Sequence, residues 1–121
     1  MNNQEKGYKK LKTFQEAHKL VLLVYQLTQK FPKDEVFGMK SQIRRASVSI
    51  PANIIEGQAR LSKKELRNFL HIANGSLVET EYYLELARDL GYINGDEYEG
   101  AEKQRFLVGS LLGGLIRSIK V

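Results

Sequence analysis

The chain contains no cysteine, no tryptophan, two prolines and two histidines. Without cysteine there are no disulfides, no thiolate metal sites and no cysteine nucleophile, and the composition suits a reducing compartment. His18 and His71 fall on different helical segments without partners at i+3 or i+4, so the ligand spacing of a helical metal site is missing. No serine lies in a G-x-S-x-G elbow, and neither a P-loop nor a dinucleotide fingerprint occurs. The expectation is a protein that is not an enzyme, with no catalytic residue, no metal and no cofactor. Long apolar runs are lacking too. Phe106 to Ile116 is 11 residues between Arg105 and Arg117, whereas a membrane-crossing helix needs about 20. The first residues, MNNQEKGYKKLK, lack the apolar stretch of a secretory signal, so a cytoplasmic protein is expected. With so little proline there is little room for linkers, and 121 residues fit one domain, 1–121, whose loose N-terminus covers about residues 1–7.

What is present is apolar periodicity of the helical kind. From about Tyr8 to Lys30, Leu11, Phe14, Ala17, Val21, Val24 and Thr28 form one stripe, with Leu20, Leu23, Leu27 and Phe31 beside it. Phe31-Pro32 stops this first helix, because the residue before proline is pushed out of the α region. A second helix from about Val36 to Gly57 carries Met39, Ile43, Ala46, Ile50 and Ile54 on its core face. Val48, Ala52, Ile55 and Ala59 make a second apolar line about 140° round the helix. Pro51 removes the hydrogen bond to the Ser47 carbonyl and predicts a kink, eased by the Ser47 and Ser49 hydroxyls.

Ser62-Lys63-Lys64-Glu65 reads as a capping box that starts a third helix. Leu66, Leu70, Ala73, Leu77, Thr80, Leu84 and Ala87 line its core face until Leu90-Gly91-Tyr92 makes an αL stop. Phe69, Ile72, Ser76, Tyr83, Leu86 and Leu90 form a second line. Asn94-Gly95-Asp96 is a turn or N-cap before a fourth helix, whose face holds Ala101, Val108, Leu112, Leu115 and Ile119. Gly109, Gly113 and Gly114 in that helix predict a place where another backbone comes close. Four helices with short connections make an all-α, up-down-up-down four-helix bundle, kinked in its second helix at Pro51.

Charge is banded along the chain. The net charge is +3 over residues 1–12, 0 over 13–35, +5 over 36–78, −7 over 79–102 and +4 over 103–121. Such banding favours either a basic surface for a polyanion or charge complementarity between copies of the protein. The basic candidates are Lys40, Arg44, Arg45, Arg60, Lys63, Lys64 and Arg67. Four of them, Arg60, Lys63, Lys64 and Arg67, fall around one helix–helix turn beside helix N-terminal amides, a landing place for phosphate. No aromatic interleaves them, so stacking on bases has no support. The rival reading has Arg45 sharing a face with Ser49, Asn53 and Glu56 in a polar network, or reaching an acid on the third helix. Glu79, Glu81, Glu85 and Asp89 form a like-charged stripe, read as a solvated face or as the partner of a basic one rather than as paired catalytic acids. Asn74-Gly75-Ser76 matches a glycosylation sequon but falls mid-helix and is read as chance.

Phe31-Pro32 with Glu35, the run QIRRASVSIPANIIEG from Gln42 to Gly57, the Ser62–Glu65 cap, FLHIANGSL from Phe69 to Leu77, and LGYI from Leu90 to Ile93 together resemble a bacterial family. Its members are four-helix bundles encoded within intervening sequences of large-subunit ribosomal RNA genes and are often labelled ribosomal-protein-like. The similarity runs from about residue 10 to 118. It implies a ring-like homopentamer and kinship with the accessory proteins of diversity-generating retroelements, which bind nucleic acid and a reverse transcriptase; it implies no established activity. Ile55 stands where the family's N-I-A-E-G pattern has alanine, which places a larger side chain on the second apolar line. Two functions follow as expectations. One is an oligomeric binder of RNA or DNA acting through phosphate contacts. The other is a self-assembling scaffold or accessory subunit with a protein partner. In both, Val48, Ala52, Ile55 and Ala59 are the expected oligomer interface, and no membrane is involved.

Overall fold

A computed structural model describes residues 7–121, so the expected loose N-terminal stretch lies outside the described residues except for Gly7. Four helices follow one another: α1 (Lys12–Thr28), α2 (Met39–Gln58), α3 (Lys63–Asp89) and α4 (Gly95–Ser118). Each packs on its neighbours in the chain, and α4 closes against α1, so α1 stands diagonal to α3 and α2 diagonal to α4. The connections are short, so successive helices run antiparallel. One end of the bundle holds the α1–α2 and α3–α4 connections. The other holds the α2–α3 turn, the start of α1 and the end of α4.

Two helices start later than their periodicity predicts. Gly7–Lys10 is a separate 3-10 turn, because Leu11 takes extended backbone angles and restarts the chain as α1. Likewise Lys33–Glu35 forms its own turn and Gly38 interrupts the path. α2 begins only at Met39, whose amide donates to Glu35 Oε1 at 3.0 Å. That carboxylate does the work of an N-cap side chain from four residues upstream.

The stops are local and follow the sequence. Gly91 has φ of 78°. The Tyr92 amide donates to the Ala87 carbonyl at 2.8 Å and the Gly91 amide to the Arg88 carbonyl at 3.0 Å, the pair of bonds that closes a Schellman motif. At the start of α3 the Glu65 amide donates to Ser62 Oγ at 3.2 Å, which is half of the expected capping box. The complete box is at α4. There the Glu97 amide donates to Asn94 Oδ1 and the Asn94 amide to Glu97 Oε1, both at 2.8 Å.

The core is the predicted set of stripes. Leu20 and Val24 from α1, Ile50 and Ile54 from α2, Leu70 and Leu84 from α3, and Val108 and Leu112 from α4 are all buried. On α1 the buried line is Ala17, Leu20, Val24 and Leu27, while Phe14 and Val21 are only half-buried. α2 continues as one helix through the buried Pro51. The Ser47 hydroxyl donates to the Arg44 carbonyl at 3.0 Å. Ser49 Oγ accepts from Ser76 of α3 at 2.8 Å and from Asn53 at 2.9 Å. These hydroxyls therefore tie α2 to itself and to α3.

The tightest approach of two helices lies at the end of α2, and of the three α4 glycines only Gly109 faces another helix. A Cβ at Gly57 would meet Leu66 Cδ1 at 2.9 Å, Phe69 Cβ at 3.2 Å and the Leu66 carbonyl oxygen at 3.3 Å. Gly57 lets the end of α2 lie against the first turns of α3. In α4, a Cβ at Gly109 would touch Leu77 Cδ2 at 3.3 Å, whereas Gly113 and Gly114 face only the side chain of Arg117. Their glycines answer to no other helix of the same chain.

Candidate nucleic-acid interface

The seven basic candidates divide into two groups along α2. Lys40, Arg44 and Arg45 lie near its first turns, and Arg60 follows its last residue, with Lys63, Lys64 and Arg67 on the first turns of α3. Arg45 and Arg60 are separated by about 22 Å at 1.5 Å per residue. The two groups therefore stand at opposite ends of α2.

Arg44 is engaged within the bundle. Its Nε donates to Thr28 Oγ1 at 2.8 Å and its Nη2 to the Tyr25 carbonyl at 3.3 Å, and the guanidinium lies 4.2 Å from the centre of the Tyr25 ring. It therefore satisfies a carbonyl at the C-terminal end of α1. Arg45 is exposed, and among the described residues it joins no ion pair. The polar network predicted around it forms without it, from Asn53, Ser49 and Ser76. Tyr25, Val36 and Val48, with Lys40, Arg44 and Arg45, line an open groove of about 450 Å³ between α1 and α2.

At the other end the geometry is different. Arg60 pairs with Glu56 at 3.1 Å and lies 4.8 Å above the Phe69 ring. Lys63 and Lys64 are exposed, Arg67 is half-buried, and none of the three meets an acid of the described chain. The topology then adds cations that no motif had singled out. The Gly7–Lys10 turn packs against the end of α2, where Gly7 and Tyr8 share a cleft of about 320 Å³ with Ile55, Gln58 and Ala59. This brings Lys9 and Lys10 to the same end of the bundle. Antiparallel packing of α4 on α1 and α3 brings Arg117 and Lys120 there as well. The signal in the sequence was the positive charge of both terminal bands; what joins them to the α2–α3 turn is helix direction.

Most of the acids lie toward the far end, while Glu16, Glu56 and Glu65 stand near the basic end. Glu81 reaches across to Arg105 of α4 at 3.3 Å, and Glu102 holds the same guanidinium through two bonds of 2.7 Å. Arg105 is 9% exposed, the one buried cation of the bundle among the described residues. The Glu102 hydrogen bond raises its pKa further above the ordinary arginine value against the opposing effect of burial. Glu16, also buried, accepts from Gln104 at 3.0 Å and from Lys19 at 3.2 Å, which holds its carboxyl below the usual range. Neither Arg105 nor Glu16 stood out by type or spacing. Both are partners of residues distant in the chain, and both hold helices together rather than face a ligand. Glu79 is exposed and Glu85 half-exposed, and neither joins an ion pair among the described residues.

On the outer side of α2, Ala52 and Ala59 are exposed, Val48 is 39% exposed and Ile55 is half-buried against the N-terminal turn. Among the described residues no group of three or more His, Cys, Asp or Glu side chains is arranged to hold a metal ion. No helix among them is long and apolar enough to cross a membrane.

Residues 9–114 match the family model described as 23S rRNA-intervening sequence protein. A solved structure from Bacteroides thetaiotaomicron VPI-5482, a protein of unknown function from the S23 ribosomal protein family, is similar to the chain at 30% identity. It superposes with a TM-score of 0.80 over 86% of this chain and 97% of that one. No curated protein matches the sequence. The matched span takes in all four helices, from the N-terminal turn almost to the end of α4, and on that span the chain belongs to the 23S rRNA-intervening sequence protein family.

Proposed function

We propose that the protein is a non-enzymatic, cytoplasmic RNA-binding protein that works as a homo-oligomer and seats its ligand through phosphate contacts at the basic end of the bundle. The observation that carries this reading is the convergence of separate basic bands on one end. Lys9, Lys10, Lys63, Lys64, Arg67, Arg117 and Lys120 meet there without an acid paired to any of them among the described residues. The positive end of the α3 dipole adds to their field. Point charges on flexible stems, with no exposed aromatic among them, suit the backbone of a structured nucleic acid rather than its bases. As a pentamer the protein would present the site five times, and repeated copies strengthen a weak site by avidity.

The test is fluorescence anisotropy with labelled structured RNA at two salt concentrations, comparing the wild-type protein with Lys63→Glu/Lys64→Glu. Binding should show little sequence preference and fall steeply with salt, because each neutralised phosphate releases condensed counterion. The variant should bind far more weakly. Equal affinity of the two proteins, or indifference to salt, removes the basic end from consideration and leaves a protein-binding scaffold as the better reading. Light scattering after size exclusion tests the oligomer: a monomer at micromolar concentration rejects that part.

A further inference from the structure

Two surfaces on opposite sides of the bundle are apolar in the middle and charged with opposite sign. On the α1–α2 side, exposed Tyr25 and Val48 adjoin Lys40 and Arg45. On the outer side of α3, Val78 is 56% and Tyr82 59% exposed, flanked by Glu79 and Glu85. None of these four charges is paired within the described chain. A soluble bundle has no structural use for either apolar patch.

Their heights along the bundle can be compared through the Ser76–Ser49 hydrogen bond, which sets the register of α2 against α3 at 2.8 Å. Because the two helices are antiparallel, residues before Ser49 and residues after Ser76 climb toward the same end. Lys40 is nine positions before Ser49 and Glu85 nine after Ser76, so both stand about 14 Å above that level. Arg45 is four positions before and Glu79 three after, about 6 and 5 Å up. Val48 and Val78 are one and two positions away, within about 3 Å of the same level. Cation meets acid and valine meets valine only when two copies stand side by side and point the same way. An inverted neighbour would instead set Lys40 level with Arg67, cation against cation, and Arg45 level with the uncharged Ile72.

Resting on the reading of the protein as a homo-oligomer, we infer that the occupant of the α1–α2 groove is the outer face of α3 from a second, parallel copy. The contact is heterologous: each copy offers one face to one neighbour and the other face to the next. Such a contact either closes into a ring or continues as a fibre. With parallel bundles, the basic ends of all copies lie on one rim, so the same geometry that assembles the protein gathers its Lys63 and Lys64 side chains.

The absence of cysteine makes a direct test possible. Val48→Cys/Val78→Cys, oxidised at micromolar concentration, should run on a denaturing gel as a ladder of cross-linked chains, while Val48→Cys alone and Val78→Cys alone stay monomeric. A dimer from Val48→Cys alone means that the α1–α2 face pairs with itself and overturns the proposal. Charge reversal gives a second readout that needs no cross-link. Lys40→Glu/Arg45→Glu and Glu79→Lys/Glu85→Lys should each weaken association by more than about tenfold, with helix content by circular dichroism unchanged, and the two sets combined in one chain should restore it. A wild-type protein that is monomeric overturns both the oligomer and this contact. A wild-type oligomer untouched by either reversal, or cysteine variants that give no ladder, overturns the contact and leaves the oligomer standing.

Discussion

The Tyr92 hydroxyl donates to Glu35 Oε2 at 2.8 Å while the other oxygen of the same carboxylate takes the Met39 amide. The bond joins the α1–α2 connection to the α3–α4 connection across 57 positions of sequence. Phe31 and Tyr92, with ring centres 5.2 Å apart, pack beside it. Gly38 leaves room for the carboxylate, since a Cβ there would lie 2.6 Å from Glu35 Oε1. One glutamate therefore starts α2 and latches one end of the bundle.

This latch predicts a pH dependence. The Met39 amide, followed by the Tyr92 hydroxyl, holds the Glu35 carboxyl below its usual range. A depressed carboxyl stabilises the fold above its unfolded pKa, and that contribution is lost as pH falls through the folded value. Tyr92→Phe removes one of the two donors. Its melting temperature should fall below wild type at neutral pH, and the gap should close in acid. Glu35 also raises the Tyr92 pKa through the hydrogen bond, so that contribution is intact below the ordinary tyrosine pKa and lost as pH rises through the raised folded value. Thermal melts by circular dichroism from acid to alkaline pH check both limbs; a gap that stays constant in acid removes Glu35 from the account.

Gly57→Ala should destabilise the protein by about 1–3 kcal/mol, the usual cost of an added methyl in a packed contact. The gain in helix propensity, up to about 1 kcal/mol, is the smaller effect. Gly100 is the control: it is exposed in α4 with nothing within 4 Å of an added Cβ. Gly100→Ala should stabilise by roughly 0.5–1 kcal/mol. Urea denaturation measures both, and a stabilising Gly57→Ala contradicts the close crossing of α2 and α3.

Arg105→Met keeps apolar length but leaves Glu102 and Glu81 without their shared partner. Loss of these charge-assisted hydrogen bonds should cost about 1.5–3 kcal/mol. Because the groups act together, Arg105→Met and Glu102→Gln should be less than additive in a double-mutant cycle. Additive losses mean that the guanidinium is held by burial alone.

If parallel assembly gathers the basic ends, Glu79→Lys/Glu85→Lys should bind RNA more weakly than the wild-type protein although it carries more positive charge. Loss of avidity outweighs the added field. Anisotropy at one fixed salt concentration decides: tighter binding by this variant shows that charge, and not assembly, sets affinity.

The sequence by itself determined the parts of this protein that depend on near neighbours. Ser62, Gly91 and Asn94 act within a few residues, through caps and a left-handed turn, and the helices end where these residues stand. The apolar stripes are equally local, since the helical repeat alone decides which residues share a face. Within the candidate interface, Lys63, Lys64 and Arg67 were legible because they are adjacent in the chain. Other features depended on which distant atoms come to lie alongside. Arg44 and Arg45 look equivalent in sequence, yet Arg44 is held by Thr28 and Tyr25 and Arg45 is free to face outward. Gly57, Gly113 and Gly114 are alike as residues, and only Gly57 meets another helix. Lys9, Lys10, Arg117 and Lys120 joined the basic end because antiparallel packing returns the start of α1 and the end of α4 to the α2–α3 turn. Tertiary structure decided these, because charge and close contact act through space, and distance along the chain does not measure it.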